Sequence, residues 1–344
     1  MKFVFSGAAL ACLLTIPCWA QQCAPPKVVS GVDLVPNATG LQQYVPLTIA
    51  GSHELLRLDT GAEQTEITPF VAGDLKLEIK KSATWTFTAT GAASNKVVVT
   101  DVGLGQLAWK GVELSVLPQS AISPRADYVG LFGADFLTKY DLSLDFEHHR
   151  LELIDPDHCA GTPPNWPGKN VVAVPFKLVA SHIELPVVLD GHTIMATLDT
   201  GASRAVIVRP VAEREFALVM GGPDTPASGG TLNNMPGATV WHHIFKELKI
   251  GDVTIKDQQF SIIPDLFNQA ESKAEAATAA AKAAAAQPAK PQSAPPAAAP
   301  APAAKAEPPK PEEYQMTDIL LGMAVWKDLR IYIDYKDRKL YVAQ

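Results

Sequence analysis

Asp59-Thr60-Gly61-Ala62 recurs as Asp199-Thr200-Gly201-Ala202, 140 positions further along the 344-residue chain. Each copy closes an apolar run, Leu55-Leu56-Arg57-Leu58 in the first and Ile194-Met195-Ala196-Thr197-Leu198 in the second. A single Asp-Thr-Gly reads as an ordinary turn, because Asp and Gly are turn formers. Two copies, each ending a matching run, supply two aspartates for one site. Carboxyl groups held a few ångströms apart cannot both ionise, so they share one proton. Such a pair can take a proton from water and give one to a carbonyl oxygen, with no covalent intermediate. Asp59 and Asp199 are the candidate acid/base pair, and they titrate as a unit.

Positioning two carboxylates requires two copies of one supporting structure, and the repeat extends well beyond the motif. Leu131-Phe132-Gly133 is matched by Leu320-Leu321-Gly322, and Leu142-Ser143-Leu144-Asp145-Phe146 by Ile331-Tyr332-Ile333-Asp334-Tyr335. The step from Gly to Asp is 12 positions in both copies. Ser115-Val116-Leu117-Pro118 matches Ser261-Ile262-Ile263-Pro264, and Tyr44-Val45-Pro46-Leu47 matches Glu184-Leu185-Pro186-Val187. Units this long indicate a duplicated domain and not a solenoid. Gly61 and Gly201 lack Cβ, which lets each turn tighten and its backbone N–H approach the carboxylate.

With Asp-Thr-Gly-Ala and a later apolar-apolar-Gly in each half, the chain resembles the retropepsin-like branch of the aspartic proteases. The resemblance covers nearly all of the chain outside the N-terminus and one insert. It implies a mainly β fold: two homologous retropepsin-like β-barrel lobes in one chain, with the active-site cleft between them. It also implies that the Thr60 and Thr200 hydroxyls bond across to the opposite loop and hold the carboxylates coplanar. Ala62 and Ala202 stand where pepsin-like relatives often carry Ser or Thr. Loss of that hydroxyl donor should raise the dyad's pKa values and place activity at mildly acidic pH. The family closes a β-hairpin flap over its substrate. That flap is expected around Thr86 to Lys96, with Gly91 at the tip and Trp85 or Phe87 near the cleft, and in the second half around Ser228 to Val240, with Gly229 and Gly230. For Trp85, plain strand packing is the competing reading. Gly-rich tips between β runs suit a lid. The substrate implied is an extended polypeptide, held by backbone hydrogen bonds with pockets for alternate side chains. No metal and no organic cofactor is implied, and the paired halves imply a monomer.

Composition sets the outer bounds. A net charge of −7 offers no basic surface for nucleic acid. Residues 1–20 read as a signal peptide, with Lys2, an apolar Phe3–Ile16 stretch and Cys18-Trp19-Ala20 before Gln21. Pro17 interrupts a stretch already short of the ~20 apolar residues that a membrane span needs. A lipoprotein reading at Cys12 leaves too short an apolar region. No integral membrane segment is expected after the signal, and the destination is periplasmic or secreted. Cys23 and Cys159 then form an even pair, which in an exported chain suggests a disulfide, with two free thiols as the alternative.

Along the chain, short β-branched runs separated by Gly, Asn, Asp and Pro define lobe one over 27–155, with strands at 84–90, 96–100 and 112–117 among them. Ala134 to Lys139 is its one expected helix, and Glu147-His148-His149-Arg150 a hairpin turn. Residues 156–169 are a Pro- and Gly-bearing linker. Lobe two spans 170–344 in the same strand order. It carries an Ala/Pro/Lys-rich insert at about 270–313, because Pro118 to Gly133 is 15 positions whereas Pro264 to Gly322 is 58. With few apolar side chains to bury, that tract is expected to be extended and mobile.

The eight histidines are distractors. His148-His149 and His242-His243 are neighbours, and adjacent residues of a strand point to opposite faces. No His-Glu-x-x-His, Cys-x-x-Cys, Gly-x-Ser-x-Gly or phosphate-binding loop occurs. All eight are expected at the surface or in turns. The chemistry implied is that of an aspartic endopeptidase. The alternative is an inactive peptide-binding or envelope scaffold protein on the same fold.

Overall fold

The computed structural model describes residues 24–88, 91–117, 129–161, 166, 170–231, 238–265 and 319–344, with backbone alone at 83–88, 91–94 and 231. Residues 1–20, where a signal peptide is expected, Cys23 and the Ala/Pro/Lys-rich insert lie outside the described residues.

Alternating and continuous apolar runs fold into strands throughout. The first half contains β1 (Val28–Asp33), β2 (Val35–Pro36), β3 (Gln43–Ile49), β4 (Ser52–Leu58), β5 (Glu66–Ile67), β6 (Lys80–Thr88), β7 (Gly91–Leu104), β8 (Leu107–Val116), β9 (Gly130–Phe132), β10 (Asp141–Asp145) and β11 (Arg150–Ile154). The second contains β12 (Val172–Pro175), β13 (Lys177–Val179), β14 (His182–Leu189), β15 (His192–Leu198), β16 (Ala205–Val208), β17 (Ala227–Thr231), β18 (Thr239–Ile250), β19 (Val253–Ile263), β20 (Ile319–Leu321), β21 (Arg330–Asp334) and β22 (Lys339–Ala343).

Two eight-stranded sheets carry the duplication. Their orders are β2-β3-β4-β9-β5-β8-β7-β6 and β13-β14-β15-β20-β16-β19-β18-β17, which correspond strand for strand. Each curls far enough that β3 meets β7, and β14 meets β18. The match extends to register. Pro46 pairs with Leu55 and Pro186 with Met195, both offset by the motif's own spacing. Val45, Leu56, Leu58 and Phe132 fill one core, and Leu185, Ala196, Leu198 and Leu321 fill its counterpart.

A third sheet joins the lobes, in the order β1-β11-β10-β21-β22-β12. At its centre Leu142 pairs with Ile333 and Leu144 with Ile331. These are counterparts exchanged across the join, the pattern of a two-fold interface built within one chain. Beneath it lies a buried polar group. His158 Nε2 sits 2.6 Å from Asp141 Oδ2 and 3.1 Å from the Tyr332 hydroxyl, while the Tyr335 backbone N–H donates to Asp141 Oδ1 at 2.8 Å.

Several expectations need correcting. Besides Ala134–Leu137, the first half has a second helix, Pro69–Asp74, capped by the Thr68 hydroxyl and opened by proline. The second half has helices Arg209–Phe216 and Met323–Trp326. The strands expected at 84–90 and 96–100 are the arms of one longer hairpin, β6–β7. Two histidines are neither at the surface nor in a turn: His158 and His182 are buried. Carbonyl and carboxylate partners make their burial tolerable. In the expected linker, Trp166 is buried against Tyr332 and Tyr341, with the Arg330 guanidinium over its ring. Among the described residues no helix is long and apolar enough to cross a membrane.

Candidate active site

Both Asp-Thr-Gly turns follow an interior strand of an eight-stranded sheet. β4 runs parallel to β9, and β15 parallel to β20, so each aspartate leaves its strand beside an apolar-apolar-Gly segment. The Asp59 N–H donates to the Phe132 carbonyl at 3.0 Å, and the Asp199 N–H to Leu321 at 3.1 Å. Gly133 and Gly322 allow the next loop to pack directly on the segment. A Cβ on Gly133 would lie 2.6 Å from the Gln64 carbonyl oxygen, and one on Gly322 would lie 2.7 Å from that of Ala202. The helices that follow aim their first N–H groups into the turns, Ala134 to Ala62 and Met323 to Ala202, both at 2.8 Å. The second repeat block thus clamps the turn that the first block makes.

The two turns meet. The Thr60 N–H donates to Thr200 Oγ1 at 3.0 Å, and the Thr200 N–H donates to Thr60 Oγ1 at 3.1 Å. Each hydroxyl in turn donates to the carbonyl preceding the opposite aspartate, Thr60 to Leu198 and Thr200 to Leu58, both at 3.0 Å. Gly61 faces the Asp199 carboxyl so closely that a Cβ would lie 2.6 Å from Cγ, and Gly201 faces Asp59 in the same way. Each glycine thus seats the opposite carboxyl, and the two aspartates meet across the join. Carboxyl groups brought together in this way do not both ionise readily, so one tends to keep its proton.

Backbone donors hold the oxygens. Gly61 N–H reaches Asp59 Oδ1 at 3.0 Å, while Gly201 and Ala202 N–H reach Asp199 Oδ1 at 2.8 and 3.1 Å. Burial pushes the Asp199 carboxyl up to about 7, reinforced by the charge of Asp59 and opposed by those N–H groups. Burial also raises Asp59, opposed first by the Arg57 guanidinium and then by the N–H groups of Gly61 and Ala62. Arg57 lies 3.8 Å from Asp59 Oδ2. The equivalent position of the other lobe is Thr197, so the dyad is not electrostatically symmetric.

The structure therefore brings Asp59, Thr60, Gly61, Ala62, Asp199, Thr200, Gly201 and Ala202 into one constellation. The flap positions are different. Gly91 pairs with Thr88 beside a hairpin tip, and Trp85 lies on β6 with its side chain outside the described residues. Gly229 and Gly230 are exposed in a bulged stretch of β17, Gly229 with φ +76°. The two hairpins exist as elements. Among the described residues none of these four positions hydrogen-bonds the dyad. Cys159 donates its N–H to the Ala24 carbonyl at 2.8 Å, one residue from Cys23.

Three neighbours of the dyad escaped the sequence reading. Arg57 and Glu66 look like ordinary strand polar residues until strand register puts them beside Asp59. His182 was set aside with the other histidines. Its Nε2 donates to the Gly61 carbonyl at 2.9 Å, tying β14 of one lobe to the turn of the other. Its Nδ1 lies 3.3 Å from the Val179 carbonyl.

No curated protein matches the chain. Among solved structures, the chain is similar to the aspartic proteinase of Irpex lacteus at 10% identity, with 93% of this chain and 97% of that chain covered and a TM-score of 0.49. It is also similar to a retropepsin-like aspartic protease from Rickettsia conorii at 18% identity, with 38% of this chain and 93% of that chain covered and a TM-score of 0.29. The family profile described as "Aspartyl protease" matches twice, at residues 45–136 and 185–325, each match holding one Asp-Thr-Gly turn and together more than half of the sequence. The chain thus belongs to the aspartyl protease family.

Proposed function

We propose that this protein is an endopeptidase in which Asp59 and Asp199 activate one water against a peptide bond. The observation that carries the reading is the convergence of two carboxyl groups, Asp59 buried and Asp199 partly buried, each held against the glycine that follows the other. The nearby Arg57 cation favours the ionised form at Asp59, and the negative charge of Asp59 favours a proton on Asp199.

In this assignment Asp59 takes a proton from water as the water oxygen attacks the carbonyl carbon. Asp199 gives its proton to the carbonyl oxygen, leaving a neutral gem-diol. As the diol collapses, one hydroxyl returns its proton to Asp199, the C–N bond breaks and the amine leaves with the proton that Asp59 took from water, which restores the starting dyad. The Thr60–Thr200 brace fixes the two turns, so little reorganisation is needed during the reaction. An extended chain in the cleft accounts for the hairpins β6–β7 and β17–β18, which we assign as flaps.

Further parts of the reading rest on sequence. Residues 1–20 are assigned as a signal peptide, with the product exported to the periplasm or beyond. A Cys23–Cys159 disulfide is assigned on the even cysteine pair and the Cys159–Ala24 backbone contact. The pseudo-two-fold pairing of β10 with β21 supports a monomer.

The test is cleavage of a mixed peptide library by purified protein from pH 3 to 8, alongside Asp59→Asn and pepstatin controls. Cleavage lost in the variant and in the inhibited sample supports the assignment. Equal cleavage in all three, or none in any, rejects it.

A further inference from the structure

Strand register makes the two halves of the site chemically unequal. Across the first sheet, Arg57 pairs with Leu131, Leu131 with Glu66, and Glu66 with Ser115. Paired residues share a face, so Arg57, Leu131 and Glu66 form one row. Their sequence neighbours Leu58, Phe132 and Ile67 point the other way, into the barrel core. The 3.8 Å approach of Arg57 to Asp59 turns this row toward the dyad. In the second lobe the matching row is Thr197, Leu320 and Val206, in identical register. Two charged-type residues on one side thus face a hydroxyl and an aliphatic side chain on the other.

Glu66 is the unusual member. It is 3% exposed, and among the described residues its Oε2 has no hydrogen-bond partner. A buried carboxyl with an idle oxygen is costly unless something pairs with it. Arg57 is two strands away, roughly 9–10 Å at ordinary strand spacing, and is directed at Asp59.

We propose that Glu66 is a specificity-determining residue, which pairs with a lysine or arginine side chain of the substrate on the first-lobe side of the cleft, while Val206 leaves the second-lobe side suited to an aliphatic one. This rests on the endopeptidase reading for the presence of a peptide in the cleft. An incoming cation would complete the valence of Oε2 and lie against the stem of Leu131. The charged groups around Glu66 are Asp59, Asp135 from the helix Ala134–Leu137, and Arg57 along the row, with Lys139 facing Asp135. Two of its nearest charged neighbours are acidic, which favours a cation further. Burial, with the charges of Asp59 and Asp135 added, pushes the Glu66 carboxyl up to about 8. The preference for a cation should therefore strengthen as pH rises and Glu66 ionises.

The experiment compares peptides that differ only by lysine or norleucine, scanned through each position around a cleaved bond. Wild type should favour lysine by about ten- to a hundredfold at one position, the range expected for a charge-assisted hydrogen bond. That ratio should grow between pH 5 and 8. In Glu66→Gln it should fall to near one and become flat with pH, and in Glu66→Val it should invert toward norleucine. Two outcomes overturn the proposal: no position with a lysine preference, or a preference that survives in Glu66→Gln. Should either variant fail to fold, the pH series on wild type alone decides. The same peptides are also titrated by fluorescence anisotropy into the Asp199→Asn protein. Lysine-selective binding with no turnover by wild type would reject the endopeptidase reading and leave the Glu66 assignment standing. Turnover without selectivity would do the reverse.

Discussion

Thr60 and Thr200 exchange their hydrogen bonds. Each hydroxyl accepts the N–H of the other threonine and donates to the carbonyl two residues before it, Leu198 for Thr60 and Leu58 for Thr200. Both side chains are buried, so every one of these four bonds is made away from water. Removing either hydroxyl strands one N–H and one carbonyl. Thr60→Ala or Thr200→Ala should cost on the order of 3 kcal/mol in urea denaturation, since each orphaned buried group costs about 1–3 kcal/mol. Thr→Ser at either position keeps the hydroxyl and should be much milder. The double alanine variant should cost less than the sum of the singles, because both lose the same brace.

Asp59→Asn and Asp199→Asn test the chemistry apart from the fold. Each retains the side-chain volume and one carbonyl oxygen for the turn's N–H donors, but neither can share a proton. Turnover should fall by about 10²–10⁴-fold, the usual range for a lost acid/base group. Peptide affinity should change little. A KM effect without a kcat effect would contradict the assigned roles.

Much of this site was legible before any coordinates. The 140-residue spacing of the two turns reappears as strand pairings with that same offset, Pro46 with Leu55 and Pro186 with Met195. Motifs of this kind are visible because every residue in them is constrained locally: aspartate by chemistry, threonine by the brace, glycine by the close approach of the opposite carboxyl. The sheet that joins the lobes was not visible. Leu142 and Ile333 look like any apolar strand residues, and nothing local records that they pair with each other. His182 and Glu66 were missed for the same reason. A polar residue in an alternating run reads as solvent-facing, and only register across β4, β9 and β5 turns Glu66 toward Asp59. His158 was missed because its Asp141 and Tyr332 partners are brought together by the fold, not by sequence proximity.

Arg57 should set the pH range of the dyad. A cation 3.8 Å from Asp59 favours its ionised form, so the pair titrates lower than it otherwise would. Arg57→Met should move the acid limb of kcat/KM upward by about one pH unit or more, and Arg57→Lys should restore most of it. The basic limb reflects loss of the proton associated with Asp199, raised to about 7, so activity should decline through neutrality. Serine at positions 62 and 202 should move the optimum downward by adding a hydroxyl donor to each carboxylate. The measurement is the pH–rate profile of each variant on one peptide.

Glu66 couples protonation to stability in a direction that can be worked out. Its folded pKa of about 8 lies above the ordinary 4.5, so the folded state holds this proton more tightly than the unfolded chain. The associated stability is complete below about pH 4.5 and is lost as pH rises through 8. A shift of this size corresponds to several kcal/mol, on the order of 1.4 per unit. Glu66→Gln removes the titration, so the variant should gain on wild type as pH rises. The Tm difference between the two proteins, measured from pH 5 to 8.5, should widen in favour of Gln. A constant difference would mean that Glu66 does not titrate in this range.

The buried His158–Asp141 pair makes the join between lobes sensitive to single substitutions. His158 Nδ1 lies 3.0 Å from the Cys159 carbonyl, Nε2 is 2.6 Å from Asp141, and Asp141 also accepts the Tyr335 N–H of the other lobe. Burial alone would lower the histidine's pKa, but the Cys159 carbonyl and the Asp141 carboxylate together raise it. Its stabilising contribution is therefore full below the unfolded pKa of 6.5 and fades at higher pH. His158→Ala leaves the Asp141 carboxylate buried with part of its shell missing, which should cost about 3–5 kcal/mol. Because Asp141 is hydrogen-bonded to Tyr335 and Tyr332 of the second lobe, the loss should appear as earlier separation of the lobes and not as melting of one barrel. Hydrogen exchange checks this directly: amides of β10 and β21 should lose protection in the variant while those of β4 and β15 keep theirs.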